Sequence, residues 1–275
     1  MENYPRSEIL CSIVIPVHNG MPDIAGAIQS VLPQLGPQME LVIFDNCSSD
    51  GTREFLGSMR DSLIVVKHSD VLLPIDESWS RAVSLAQGKW VKILPADDEL
   101  LPDCLSAQLE IAQRYPLVGL VTSRRIIRSP RGKIRLTLPL RASELTTHPP
   151  GASIELIRDS AANPFGETSS ALFRADLLAE ILPLRGRYTL DLDTHFRLAQ
   201  LEGWVRTAHV ASVFQISARG LTRQTSRTHL VEMRDWMIAN DCGLGKNGRL
   251  SFVQSVRLSL RTMLRSIFMQ ASRSL

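Results

Sequence analysis

The sequence predicts an open α/β fold: a mainly parallel sheet flanked by helices. Three observations carry that prediction. About the first hundred residues alternate between short apolar runs and stretches of helical spacing. The apolar runs are β-branched and continuous, as in strands buried on both faces. The links between them are short, as in repeated β-α units whose crossovers share one hand.

The elements follow in order. SIVIPV (Ser12–Val17) is the first strand. Pro22 then opens a helix that places Ile24, Ala27, Ile28 and Val31 on one face. ELVIFD (Glu40–Asp45) is the second strand. CSSDGT (Cys47–Thr52) is turn and capping chemistry, because Ser and Asp side chains accept bonds from nearby backbone N–H groups. A short helix runs on to about Arg60, and SLIVVKH (Ser62–His68) is the third strand. Trp79, Ala82, Val83 and Ala86 share the face of the next helix, with Gly88 placed as its stop. KWVKIL (Lys89–Leu94) is the fourth strand.

Three strand ends carry polar groups: Pro16-Val17-His18-Asn19, Asp45-Asn46 and Asp97-Asp98. Ligands of open α/β sheets bind beyond the carboxyl ends of the strands, so these groups are expected along one rim. A carboxylate after the second strand can accept the imide N–H of a pyrimidine. Two carboxylates after the fourth can hold a ribose hydroxyl and a divalent cation, Mn²⁺ or Mg²⁺, which prefers oxygen ligands. A cation also relieves the mutual repulsion of adjacent acids. The plainer reading of Asp97-Asp98 is a solvated loop capping the helix that starts near Pro102.

Composition removes other classes. Four scattered cysteines without a CxxC pair offer neither a zinc site nor a disulfide framework and suit a reducing compartment. No apolar run reaches the roughly 18 to 20 residues needed to span a bilayer. MENYPRSEIL has acids and a proline where a secretory leader would be apolar, so a cytoplasmic protein is expected. No HExxH, G-x-S-x-G, phosphate-loop or dinucleotide glycine motif is present. His18 and His68 read as loop and strand-end residues, His195 as a packing residue within a helix, and the four tryptophans as core or groove wall. The net charge of +3 is uneven: 25 of the 31 basic residues and all 28 acidic ones precede residue 246. No basic surface interleaved with aromatics marks a nucleic-acid partner. From Leu250, Val253, Val256, Leu260, Met263, Leu264 and Ile267 form an apolar stripe with Arg257, Arg261 and Arg265 along its flank. Leu258 and Phe268 fall off it. Residues 250–270 therefore read as a basic amphipathic helix able to lie on an anionic membrane surface or to pack on the domain.

SIVIPVHNG, LVIFDNCSSDGT and AQGKWVKILPADDELLPDCL, in that order and spacing, resemble the N-terminal half of the family 2 glycosyltransferases. That family has the Rossmann-like GT-A fold. GETSSALFRADLLAEI (Gly166–Ile181) is similar to its acceptor-side segment, and LDLDTHFRL (Leu190–Leu198) to its acidic motif, an Asp followed six residues later by an Arg. The resemblance implies an inverting enzyme that moves a sugar from a nucleotide-sugar, a UDP- or dTDP-sugar by the pyrimidine argument, to a surface glycan or its lipid carrier at the cytoplasmic face. It implies Asp191 as the general base, with Asp193 as rival, because a positioned carboxylate can deprotonate the acceptor hydroxyl. Pro16, His18, Asn19, Asp45, Asp97 and Arg197 are the candidate nucleotide-sugar residues, and Asp98 the metal ligand. Arg219 or Arg223 stands where many members carry an Arg and a His near the diphosphate. The chain departs from the family pattern at Pro95, Ser80 and Leu190, where an acid, an Asn and a Glu are common. The expected organisation is one GT-A domain over 8–245, a donor half to about 125 and an acceptor half beyond it, followed by the basic tail 246–275. The competing readings are a nucleotidyltransferase, for which HNGMPD supplies no glycine-rich phosphate loop, and a nucleotide-sugar-binding relative without turnover.

Overall fold

The computed structural model describes residues 8–129, 135–138, 144–160, 163–216 and 227–242. The amphipathic tail, residues 246–275, lies outside the described residues, as do Arg219 and Arg223.

The N-terminal part of the chain is built from β1 (Cys11–Val17), α1 (Asp23–Val31), β2 (Met39–Asn46), α2 (Thr52–Gly57), β3 (Ile64–Ser69), α3 (Ile75–Ser84), β4 (Trp90–Ile93), β5 (Glu99–Leu100) and α4 (Cys104–Arg114). The chain continues through β6 (Leu120–Arg128), β7 (Arg135–Leu138), β8 (Thr146–His148), α5 (Ala152–Ser160), β9 (Ala171–Arg174), α6 (Ala175–Glu180), α7 (Leu190–Glu202), β10 (Trp204–Gln215) and α8 (Arg227–Ala239). All ten strands join one sheet. Its main path is β3-β2-β1-β4-β9-β6-β10-β5, with β7 on β6 and β8 on β10. Parallel ladders β3-β2-β1-β4 and β6-β10 carry most of the pairing, and antiparallel β9 joins the two blocks.

The continuous apolar runs have the expected cause. Every residue of β1 is buried. Successive side chains point to opposite faces of a strand. Val14 joins a core with Val42, Ile93, Ala82 and Val83 of α3, whereas Ile13 and Ile15 join one with Leu41, Ile43, and Ile24 and Ile28 of α1. Helices therefore cover both faces, and no position on β1 can be polar without a partner. Ser12 has one: its hydroxyl donates to Glu40 Oε1 at 2.6 Å and accepts from Gly88 N at 2.8 Å.

Gly88 does not end α3, which stops at Ser84. Its glycine is required by a close approach instead. A Cβ there would lie 2.6 Å from the Ser12 nitrogen and 2.8 Å from the Cys11 carbonyl carbon. Both are backbone atoms of the central strand and cannot yield separately. Gly88→Ala is therefore expected to destabilise the fold by about 3 kcal/mol, the upper part of the overpacking range. Urea unfolding would show this as a lower midpoint at unchanged slope.

Candidate active site

The sheet order puts β2, β1 and β4 side by side, so their carboxyl ends form the expected rim. Pro16 is tolerated in a central strand because the β1–β4 register ends at Val14–Ile93, leaving Pro16 paired only toward β2. Beyond it, the β1–α1 and β2–α2 loops latch together. Asn19 has a left-handed backbone (φ 49°). Its N–H donates to Ser48 Oγ at 2.8 Å, and its side-chain oxygen accepts from Ser49 N at 2.8 Å. Gly20 N donates to Thr52 Oγ1 and Met21 N to Asp50 Oδ2, each at 2.9 Å. Slight burial acts to raise the Asp50 carboxyl, but bonds from the Thr52 hydroxyl and from backbone N–H groups outweigh it, leaving the acid below its usual range. His18 is exposed, with Nδ1 2.8 Å from Asn46 O. The latch fixes His18 and Asn19 at the rim and explains why Ser-Ser-Asp-Gly-Thr follows the second strand.

Asp45 is 1% exposed. It accepts from Ser48 N at 3.2 Å and pairs with Arg53 Nε at 3.2 Å. Arg53 also donates to Ser69 O at 2.6 Å, tying the end of β2 to that of β3. Asp45 thus does not stand as an open acceptor for a base. It is one half of an Asp45–Arg53 pair, and the more exposed guanidinium is the face this pair presents. The sequence reading missed Arg53, although its place directly after Asp-Gly-Thr on the first turn of α2 puts it within reach of Asp45.

Asp97 and Asp98 form the turn after β4, closed by Asp98 N donating to Pro95 O at 3.0 Å. Strand β5 follows at once and pairs antiparallel with β10. That pairing brings Gln215 N to Asp98 Oδ1 at 3.0 Å. Asp98 is fully enclosed, and its Oδ2 has no hydrogen-bond partner. Burial, then the neighbouring Asp97 charge, pushes the Asp98 carboxyl well above the usual range. The Ser169 hydroxyl and Gln215 N–H oppose that rise, Ser169 acting from outside good hydrogen-bond geometry. Such an acid is costly when ionised and gains from added positive charge. The donor set therefore fits a divalent cation: two adjacent carboxylates, one half-buried and one buried with an orphaned oxygen. Asp97 is the more accessible of the two, so direct contact suits Asp97 at least as well as Asp98. Among the described residues, no cluster of three or more His, Cys, Asp or Glu side chains is suited to hold a metal on its own.

Beneath β4 lies a buried network absent from the sequence reading. Fully buried Lys92 donates to Gln108 Oε1 at 2.8 Å, and Gln108 Nε2 donates to Ser123 Oγ and Ser170 O, each at 2.9 Å. Burial draws the Lys92 ammonium down from its ordinary range. His195 is also fully buried, stacked on Phe173 at 5.3 Å. Burial lowers it to about 3, so it stays a neutral packing residue.

On α7, Asp191 and Asp193 diverge. Two residues along a helix turn a side chain by about 200°. Asp193 points into the protein: Oδ1 accepts from Trp236 Nε1 at 2.8 Å, and Oδ2 pairs with Arg197 at 3.7 Å. Asp191 is half-buried, and its Oδ2 lies 3.2 Å from Asn163 Nδ2. Asn163 also holds the turn to Gly166, with Nδ2 donating to Gly166 O at 2.8 Å. Glu167, ion-paired with Arg125, and Ser169 follow directly. Segment 163–170 therefore touches Asp191 through Asn163, and its Ser169 hydroxyl is among the groups acting on the Asp98 carboxyl. Arg197, a donor-side candidate in the sequence, sits more than a turn into α7, where it pairs with Asp193 at 3.7 Å and donates to Pro183 O at 3.4 Å.

The parallel rim with an acidic turn after β4 is an open α/β arrangement whose ligand side is the carboxyl end of the strands. Residues 12–182 match the model of glycosyl transferase family 2, and the chain belongs to that family. TuaG of Bacillus subtilis, named for teichuronic acid biosynthesis, is 35% identical over 103 residues, which are 37% of this chain and 41% of that protein. WfaP of Escherichia coli, named a UDP-Glc:α-D-GlcNAc-diphosphoundecaprenol β-1,3-glucosyltransferase, is 25% identical over 104 residues, 38% of this chain and 41% of that protein. The chain thus matches about two fifths of the length of these relatives. Among solved structures, Staphylococcus aureus TarS 1–349 with UDP-GlcNAc superposes with a TM-score of 0.66 at 15% identity, covering 93% of this chain and 72% of that one. The mannosyltransferase PcManGT of Pyrobaculum calidifontis, with GDP-Man and Mn²⁺, superposes with a TM-score of 0.60 at 18% identity, covering 96% and 73%. At these identities the superpositions establish the GT-A fold.

Proposed function

We propose that the chain transfers a sugar, with inversion, from a nucleoside-diphosphate sugar to a hydroxyl of a glycan or lipid-linked acceptor during surface polysaccharide synthesis. A UDP-sugar is the first candidate. The observation that carries the proposal is the enclosed Asp98, with one carboxylate oxygen unpartnered, after β4 on the rim that β2, β1 and β4 form side by side. In this reading residues 8–125 hold the donor and 126–245 the acceptor.

Pro16, His18 and Asn19 line the rim where the nucleotide enters, and the Asp45–Arg53 pair meets the base. Asp97 and Asp98 would hold a divalent cation, which would supply positive charge to the diphosphate of the departing nucleotide. Asp191 takes the proton of the acceptor hydroxyl. The hydroxyl oxygen bonds to the anomeric carbon as the bond from that carbon to the diphosphate breaks, and the configuration inverts without a covalent intermediate. Asn163 orients Asp191 from the side. Arg197 belongs to the scaffold in this reading, and Arg219 or Arg223 is proposed near the diphosphate.

Transfer from UDP-sugars to a synthetic polyprenyl-diphosphate-linked sugar tests the proposal. The expected products are UDP and a glycoside of inverted anomeric configuration by NMR. Release of pyrophosphate instead would identify a nucleotidyltransferase, and donor binding without any product would identify a binding module.

The names of the relatives are consistent with a lipid-linked acceptor, and the basic stripe over 250–270 supports contact with an anionic membrane surface. No helix among the described residues is long and apolar enough to cross a membrane. Deleting residues 250–275 is expected to abolish co-sedimentation with phosphatidylglycerol vesicles. Equal sedimentation of the full and shortened chains would remove the membrane contact from the account.

A further inference from the structure

We propose that Glu232 is a positioning residue for the transfer reaction: from α8 it holds the first turn of α7, and so sets where Asp191 points. The inference rests on the reading of Asp191 as the base.

The geometry is specific. A single carboxylate oxygen, Glu232 Oε1, accepts from Arg187 N at 2.9 Å, Tyr188 N at 2.8 Å, Thr189 N at 2.9 Å and Thr189 Oγ1 at 2.8 Å. These donors immediately precede α7, whose second residue is Asp191. A helix leaves its first N–H groups unsatisfied, and a side chain at the N-cap usually serves one of them. Thr189 makes no such bond to its own helix. Its hydroxyl is turned outward to Glu232, so the approach to α7 is shaped by a residue more than forty positions later. Burial acts to raise the Glu232 carboxyl, but the bonds from Thr189, Tyr188 and Arg187 overcome it and leave the acid below its ordinary range. It is therefore ionised at neutral pH, matching the positive end of the helix.

Gly186 completes the cradle. Its φ is +91°, and a Cβ there would fall 2.6 Å from Thr189 Oγ1 and 3.2 Å from Glu232 Oε1. A side chain would meet both partners of the lock. A second grip lies one turn further on, where Trp236 bonds Asp193 and its ring meets Phe196 edge-on at 5.1 Å. Thus α8 fixes the approach to α7 at 187–189 and α7 itself at 193–196. Asp191 lies between the two grips, turned toward Asn163. Without the first grip, the entry to the turn carrying Asp191 loses its four bonds to Glu232.

The test uses the full chain and the transfer assay, with Glu232→Ala, Glu232→Gln, Gly186→Ala and Asp191→Asn. A displacement of about 1 Å at a reacting group costs up to roughly a hundredfold in rate, so Glu232→Ala is expected to lower kcat by about ten- to a hundredfold. The Kd for UDP with Mn²⁺ should stay within about twofold, because the donor groups lie on other loops. Glu232→Gln keeps a carbonyl oxygen for the same donors and should recover most of kcat, whereas Gly186→Ala should reproduce the loss by a separate route. Combined with Asp191→Asn, Glu232→Ala should add no further loss. Folded Glu232→Ala with wild-type kcat would overturn the proposal. So would parallel loss of kcat and UDP binding in every Glu232 variant, since that is loss of fold, or a full additional loss on top of Asp191→Asn. Undiminished turnover in Asp191→Asn itself would instead overturn the assignment of the base.

Discussion

Asp191→Asn is expected to lower kcat by about 10²- to 10⁴-fold, the range that a positioned general base contributes. The affinity for nucleotide with metal should remain within about twofold. The substitution preserves shape and the approach to Asn163 but removes the proton acceptor. The neighbouring acid supplies the control. Asp193 is nearly buried and joined to Trp236 and Arg197. Asp193→Asn is therefore expected to lower stability by about 1–2 kcal/mol, the scale of a weakened buried hydrogen bond to a charged group. Its kcat should stay within a few-fold of wild type. Steady-state kinetics with a denaturation curve for each variant separates the two. If Asp193→Asn lost turnover and Asp191→Asn did not, the two roles would be exchanged.

The second large effect concerns Asp97 and Asp98. Replacing either by Asn is expected to weaken metal-dependent nucleotide binding by about a hundredfold, the upper end of what even supporting residues of metal sites cost. Asp98→Asn should also show an opposite effect on stability. The folded-state pKa of Asp98 lies above its unfolded value. The native state therefore binds more protons than the unfolded state in the interval between the two values, and stability falls as pH rises through it. Above the unfolded value the metal-free protein bears a cost, either of ionising the enclosed carboxyl or of keeping its proton. Asp98→Asn removes that cost while its side-chain oxygen can still accept from Gln215 N–H. Its melting temperature in chelator at pH 7 should exceed that of wild type, and the gap should shrink as pH falls toward 4. A lower melting temperature at pH 7 would show that the carboxylate is compensated within the protein.

What the sequence made legible follows from which constraints are local. The four donor-half strands could be read because burial on both faces forces continuous apolar runs, and their polar ends could be read because helix layers leave only the rim open. The placement of Asp191 and Arg197 on one helix was also legible, since their spacing belongs to a single element. The contacts of Arg197 were not. Its i, i+4 relation to Asp193 is plain in the sequence, but only α8, packed on the same face through Trp236, shows that this face points inward. The misplaced end of α3 has a similar cause: Gly88 reads as a helix stop, whereas the contact that demands it is with β1, more than seventy residues earlier. The Asp45–Arg53 pair, the Lys92–Gln108 network and the Glu232 lock all depend on long side chains reaching between elements, and no periodicity records that. The ranking of Asp97 and Asp98 turned on β5, two residues long, whose pairing with β10 encloses Asp98 and leaves Asp97 half-buried.

The central claim is that the acids after β4 join the rim of β1 and β2 in one donor site. Titration calorimetry of UDP, dTDP, GDP and ADP, each with and without Mn²⁺, on wild type and Asp98→Asn tests it most directly. The account predicts that a uridine or thymidine diphosphate binds wild type only with Mn²⁺, and that the variant loses this binding while remaining folded. Absence of binding by every nucleotide under either condition, or equal binding by the variant, would contradict it and leave Asp97-Asp98 as a loop cap.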